Sequence, residues 1–137
     1  MKINHFTLRE LIESDTAKKE GIVNVPSFSQ VALLERFVAE CLEEIRAIDG
    51  LPIKVTSGYR CRELNAAVGG VVNSQHLCLG SSCAADITRG SIKANRQLFD
   101  KIKSSYVTFD QLILEKGGQW LHVSWSSKAN RKEVLIG

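Results

Sequence analysis

Three short stretches set polar groups in surroundings that are otherwise small, glycine-rich or apolar: Ser57-Gly-Tyr-Arg60, Ser74-Gln-His76 through Ala84-Ala-Asp86, and Trp120-Leu-His122. His76, Asp86 and His122 supply the nitrogen and oxygen donors from which a catalytic zinc takes three protein ligands, leaving a fourth position to water. Zinc lowers the pKa of such a water toward ~7, so hydroxide becomes available at neutral pH without an unusually strong base. Residue type alone leaves the set open. A single histidine is more often packed or exposed than a ligand, and a buried carboxylate such as Asp86 needs a partner that is either a metal or an arginine such as Arg60. His5 has no such neighbourhood and reads as a surface or local-packing residue.

The elements that must position these groups follow from caps and periodicity. Thr7 with Glu10 is a capping-box pattern opening a short helix over 8–14, and 14–26 reads as loop. Ser27 with Gln30 repeats the pattern, and Val31, Leu34, Val38, Cys41, Leu42 and Ile45 recur at helical spacing until Gly50. Residues 52–56 alternate and are β-branched as a strand requires, 62–68 make a short helix, 71–83 a loop, and 84–88 a strand of small side chains. Ser91 caps a helix carrying Ile92, Leu98, Phe99 and Ile102. Residues 111–115 and 120–125 form two strand-like runs around Lys116-Gly117-Gly118, a hairpin signal, and 132–136 adds another strand. Helices come mainly first and the hairpin last, which predicts an α+β domain with a largely antiparallel sheet, one domain over 1–137.

The bulk numbers exclude several classes. With 137 residues, 44% hydrophobic and 24% charged, the chain is of ordinary globular composition. The net charge of +3, from 18 basic and 15 acidic residues spread along the chain, is too weak and mixed for a nucleic-acid partner. The N-terminus lacks the apolar stretch of a secretory leader and no segment is long enough to span a bilayer, so the expectation is synthesis in the cytoplasm without membrane insertion. Cys41, Cys61, Cys78 and Cys83 form no CxxC pair; Cys41 reads as core, and Cys78 and Cys83 could close a loop disulfide if oxidised.

Ser57-Gly-Tyr-Arg60, Leu64-Asn65, Val68-Gly-Gly70, Ser74-Gln-His76-Leu77, Gly80, Ala84-Ala-Asp86-Ile87 and Trp120-Leu-His122-Val123 resemble, in order, the M15 peptidases, specifically their small phage and bacterial branch. The likeness runs from about Phe6, through Leu8-Arg-Glu10 and Asn24-Val-Pro26, to the C-terminus. It implies the Hedgehog/D,D-peptidase fold, zinc on His76, Asp86 and His122, and hydrolysis of peptidoglycan stem peptides as a carboxypeptidase or endopeptidase. It also implies action on the wall after release by lysis or a helper pore, and the chain is expected to be a monomer. Arg60 takes the place of a guanidinium that steadies the substrate carbonyl or carboxylate, and its alternative is a structural salt bridge. Ser74 resembles a substrate-binding position, although a loop-capping serine looks the same.

Two features depart from that family's pattern. Cys78-Leu79 and Ser81-Ser82-Cys83 lengthen the stretch between the first histidine and the aspartate; the expectation is an outward bulge that leaves the ligands in place. The alternative is a structural zinc site made by Cys78 and Cys83 with His76. Many members carry an acidic general base three positions before the last histidine, where this chain has Gln119, and an amide cannot take a proton from water. Glu115, the nearest carboxylate, is the expected base; the alternative is a solvated strand-end glutamate. Gln119 also motivates a different class of function, a zinc-containing wall-binding module without catalysis. Trp120, Trp125 and Tyr59 read as core or groove residues with no catalytic role.

Overall fold

The computed structural model describes residues 4–137; Met1–Ile3, the start of the segment read as lacking a leader, lie outside the described residues. Thr7 and Ser27 open helices α1 (Leu8–Ile12) and α3 (Phe28–Phe37) with complete capping boxes. Each hydroxyl accepts from the backbone N–H of Glu10 or Gln30, whose side chain accepts back from the cap N–H. Such a cap satisfies two of the orphan donors at a helix start and is worth ~1 kcal/mol. Residues 14–26 are not all loop, because α2 (Asp15–Glu20) forms there, capped by Ser14 and closed at Gly21. Only Ala17 of α2 is buried, so it carries no apolar period to read. The long helix runs to Gly50 as expected, but as α3, a π turn (Val38–Leu42) and α4 (Glu43–Asp49). The Glu43 carboxylate takes the backbone N–H groups of Asn4 and His5 and the His5 ring, which accounts for His5 as local packing.

Five strands form one sheet in the order β1-β2-β4-β3-β5, from β1 (Lys54–Ser57), β2 (Ser82–Thr88), β3 (Gln111–Glu115), β4 (Trp120–Ser126) and β5 (Glu133–Ile136). Three pairings are antiparallel; β5 alone lies parallel, on β3. Two further helices, α5 (Arg62–Ala67) and α6 (Ile92–Lys103), and a 3₁₀ turn (Gln75–Leu77) complete the mixed α+β architecture. One face of the sheet, with Ile87, Leu112, Leu121, Val123 and Trp125, packs on Phe37, Leu42, Ile45, Leu98 and Ile102. Trp125 lies in this core, 6.2 Å between ring centroids from Phe37, and Tyr59 is buried there too. The opposite face carries Asp86, His122 and Glu115. Helices on one face and chemistry on the other follow from the alternation along β3 and the second half of β2, Ala85 to Thr88.

Buried polar groups fasten the layers. The Asp49 side chain, with no exposure, is ion-paired with Arg89 and Lys101 and ties α4 to α6. Asn24 donates to the carbonyls of Ile12 and Tyr59 and accepts from the N–H of Cys61, stitching α1 to the segment after β1. Asp110 accepts from Gln75 Nε2 (2.9 Å) and from the backbone, Nε and Nη2 of Arg131. That clamp turns the chain back beside β3 and sets the parallel pairing of β5, which the strand pattern alone does not encode.

Two outcomes follow. Asn24→Ala leaves three backbone groups without their partner and should cost on the order of 3 kcal/mol in chemical denaturation. The hydrogen bond from Arg131, partly offset by burial, holds the Asp110 carboxyl down at about 2, below the ~3.9 of an unfolded chain. The unfolded chain therefore binds the proton first as pH falls, so Asp110 contributes fully above pH ~4 and loses its contribution on the way down to about 2. Asp110→Asn should flatten the acid limb of the stability curve over that window, read by denaturation at stepped pH.

Candidate metal centre

His76 sits on the 3₁₀ turn, where Ser74 is the N-cap and its Oγ accepts from the His76 N–H at 3.2 Å. Ser74 is thus used locally as a capping serine. His76 is almost wholly buried, and its Nδ1 donates to the carbonyl of Gly58 at 2.7 Å. That bond orients the ring and leaves Nε2 facing Asp86. Gly58 can be only glycine: a Cβ there would run into the backbone of Leu11 in α1, whose carbonyl accepts from the N–H of Tyr59 at 2.6 Å. The first helix therefore buttresses the carbonyl that orients the first histidine.

Asp86 and His122 face one another across the β2–β4 ladder. Asp86 Oδ1 stands 3.2 Å from His122 Nδ1 and 3.5 Å from His76 Nε2. Donors at 2.0–2.1 Å from a tetrahedral zinc are ~3.3 Å apart, so these separations are the edges of such a polyhedron. All three donor atoms lie within 4.8 Å of one another and could hold a metal ion. Burial pushes the Asp86 carboxyl up, but hydrogen bonds and charge from His122 and His76 outweigh it and hold the group well below the usual carboxylate range. A carboxylate ionised and hydrogen-bonded in this way is in the form a metal requires.

Arg60 completes the electrostatics. Its Nη2 is 3.6 Å from Asp86 Oδ2, Nε donates to Ser57 Oγ at 3.3 Å and Nη1 to Asn65 Oδ1 at 3.2 Å. Burial draws its pKa down and the Asp86 charge opposes that. Both readings of Arg60 meet here, since it faces the ligand carboxylate yet keeps N–H groups free. It also lines a cavity of ≈ 340 Å³ with Ser57, Thr56 and Ser14.

The lengthened loop bulges outward: Leu79 and Gly80 are exposed while Cys78 and Cys83 turn into the core. Both are free thiols, neither bridged nor part of the donor group. Glu115 shares the sheet face of His122, one step diagonal across β3 and β4, and its carboxylate leans toward Gly137 on the far side. Gln119 is exposed beyond the hairpin turn. Gly58, Asn65, Gln75 and Asp110 are the supporting residues to which sequence reasoning gave no role. The only signal for the first three was their place inside the quoted motifs.

The family model described as Peptidase M15 matches residues 4–124, and the chain belongs to this family. No curated protein matches the sequence.

Gly58→Ala should weaken binding of one equivalent of zinc by about 10- to 100-fold, because it displaces the carbonyl that receives the His76 ring. Competition with a chromophoric chelator measures this, with circular dichroism confirming that the variant is folded.

Proposed function

We propose that this member of the peptidase M15 family hydrolyses peptide bonds in peptidoglycan stem peptides, with zinc held by His76, Asp86 and His122 in a single Hedgehog/D,D-peptidase-like domain. The observation that carries this reading is the donor set itself: two imidazoles and a carboxylate at tetrahedral spacing, with a guanidinium beside them. Zinc in that site supplies Lewis-acid polarisation of a carbonyl and a water acidified toward pKa ~7.

The chain's own groups supply the rest. Arg60, braced by Ser57 and Asn65, offers N–H donors to the charge that develops on the scissile carbonyl oxygen, or to a substrate carboxylate. Its bracing means that little reorganisation is needed at the moment of reaction. Glu115 accepts the proton lost by the attacking water and returns it to the departing amine, a task that the amide of Gln119 cannot perform. The Glu115 side chain swings from Gly137 toward His122 to do so, a single-residue rotamer change on an open face. Ser74 holds His76 in place and borders the substrate.

No helix of the described residues is long and apolar enough to cross a membrane. The enzyme acts as a monomer on the wall once released from the cell that makes it.

Zinc-loaded protein incubated with purified peptidoglycan and with defined stem peptides should release new amino termini, followed by mass spectrometry. Substrates with free and amidated carboxyl ends separate a carboxypeptidase from an endopeptidase. Glu115→Gln should lower kcat by about 10²- to 10⁴-fold while keeping its zinc. The second reading, favoured by Gln119, is a wall-binding module; zinc and wall retained with no release, and no effect of Glu115→Gln, would establish it instead.

A further inference from the structure

The register of the sheet aligns one row of residues across all five strands on the face away from the core. Ser57 stands opposite Asp86, Asp86 opposite His122, His122 opposite Ile113, and Ile113 opposite Leu135. A register shift between Val55 and Ser57 is what brings Ser57 into line. The row changes character along its length. At the β1 end are a hydroxyl and the guanidinium it accepts from, then two of the three donors, Asp86 and His122, and at the β5 end two aliphatic side chains.

Those two are not core residues. Val134 of β5 packs against the core, so Leu135 faces the other way and is 40% exposed. Ile113 is half-buried on the same face. The flanking row is polar, Gln111 donating to Glu133 at 2.6 Å. On the other side stand Glu115 and the half-buried Trp120, which pair directly. The solvated face of an antiparallel sheet is mainly polar. Here the aliphatic pair continues the line of the metal ligands.

We infer that Ile113 and Leu135 form a subsite for an uncharged apolar side chain on the substrate residue that flanks the scissile bond on the side away from Arg60. The inference rests on the peptidase reading above. Directly opposed residues stand ~5 Å apart, so Ile113 lies one step and Leu135 two steps from His122, within reach of the neighbouring residue of an extended peptide. Gly137 bounds the subsite: a Cβ there would strike Glu115 Oε1 and lie 3.4 Å from Ile113 Cγ2. Its missing side chain leaves the carboxylate room at the end of the row. β5 lies beyond the residues 4–124 that the family model matches.

The test compares stem-peptide analogues that carry alanine or glycine at the flanking position, on zinc-loaded wild type, Leu135→Ala and Ile113→Thr. Wild type should prefer alanine. Both variants should raise KM for the alanine peptide about 3- to 10-fold with kcat kept, and leave the glycine peptide unchanged. Leu135 is surface-exposed, so its variant reports on the subsite without loss of fold. An alanine-to-glycine ratio identical in wild type and both variants overturns the inference. If wild type cleaves neither peptide, the peptidase reading fails on its own, and calorimetric binding of the same two peptides decides the subsite. An alanine preference that disappears in Leu135→Ala upholds it, and equal binding of both peptides overturns it.

Discussion

Asp86 and His122 lie directly opposite each other on adjacent antiparallel strands, and the donor group exists only while that register holds. A slip of β2 by one residue would send Asp86 to the helical face, away from His122, and bring Ile87 out to water. The same alternation that buries Ile87, Leu121 and Val123 therefore brings Asp86 and His122 together. Hydrophobic burial is the dominant favourable term in folding and is insensitive to direction. Through the pleat of β2 and β4 it acquires one: the apolar residues choose the face, and the ligands inherit the other.

The third donor comes from a different kind of element and is held by different means. His76 rides on a short 3₁₀ turn with no ladder to fix it. Three contacts do so, two of them from distant parts of the chain: the Gly58 carbonyl on its ring, Gln75 beside it bonded to Asp110, and locally the Ser74 hydroxyl on its N–H. Arg60 N–H adds a fourth by donating to the His76 carbonyl at 2.9 Å. A charged Asp86 in largely buried surroundings is tolerable because two imidazoles and a guanidinium surround it. The concentration of partners around one carboxylate is what makes the site receptive to a cation.

What could be read beforehand was whatever is local. Caps at Thr7 and Ser27, the β3–β4 hairpin and the strand carrying Asp86 each announce themselves within a few residues. His76, Asp86 and His122 could be grouped because their flanking motifs resemble those of a family, not because their spacing required it. The features that were missed join residues far apart in sequence. Gly58 to His76 spans 18 positions, Asp110 to Gln75 35, Arg89 to Asp49 40 and Lys101 to Asp49 52. α2 escaped for the opposite reason, since it buries only Ala17 and its short cap has no apolar face behind it. The parallel β5 was read as a strand, but its partner depends on where Asp110 and Arg131 turn the chain.

The separation of 36 residues between Asp86 and His122 also sets an order of events. A helix or the β3–β4 hairpin can form from neighbouring residues, whereas β2 must close a long loop before its pairing with β4 returns any free energy. A chain emerging from the ribosome thus carries His76 and the thiols of Cys78 and Cys83 in the open well before His122 exists. In that interval the soft sulfur donors compete for any metal the histidine meets. Pairing of β4 with β2 draws both thiols into the core and sets Cys83 opposite Trp125, in the same step that brings His122 opposite Asp86.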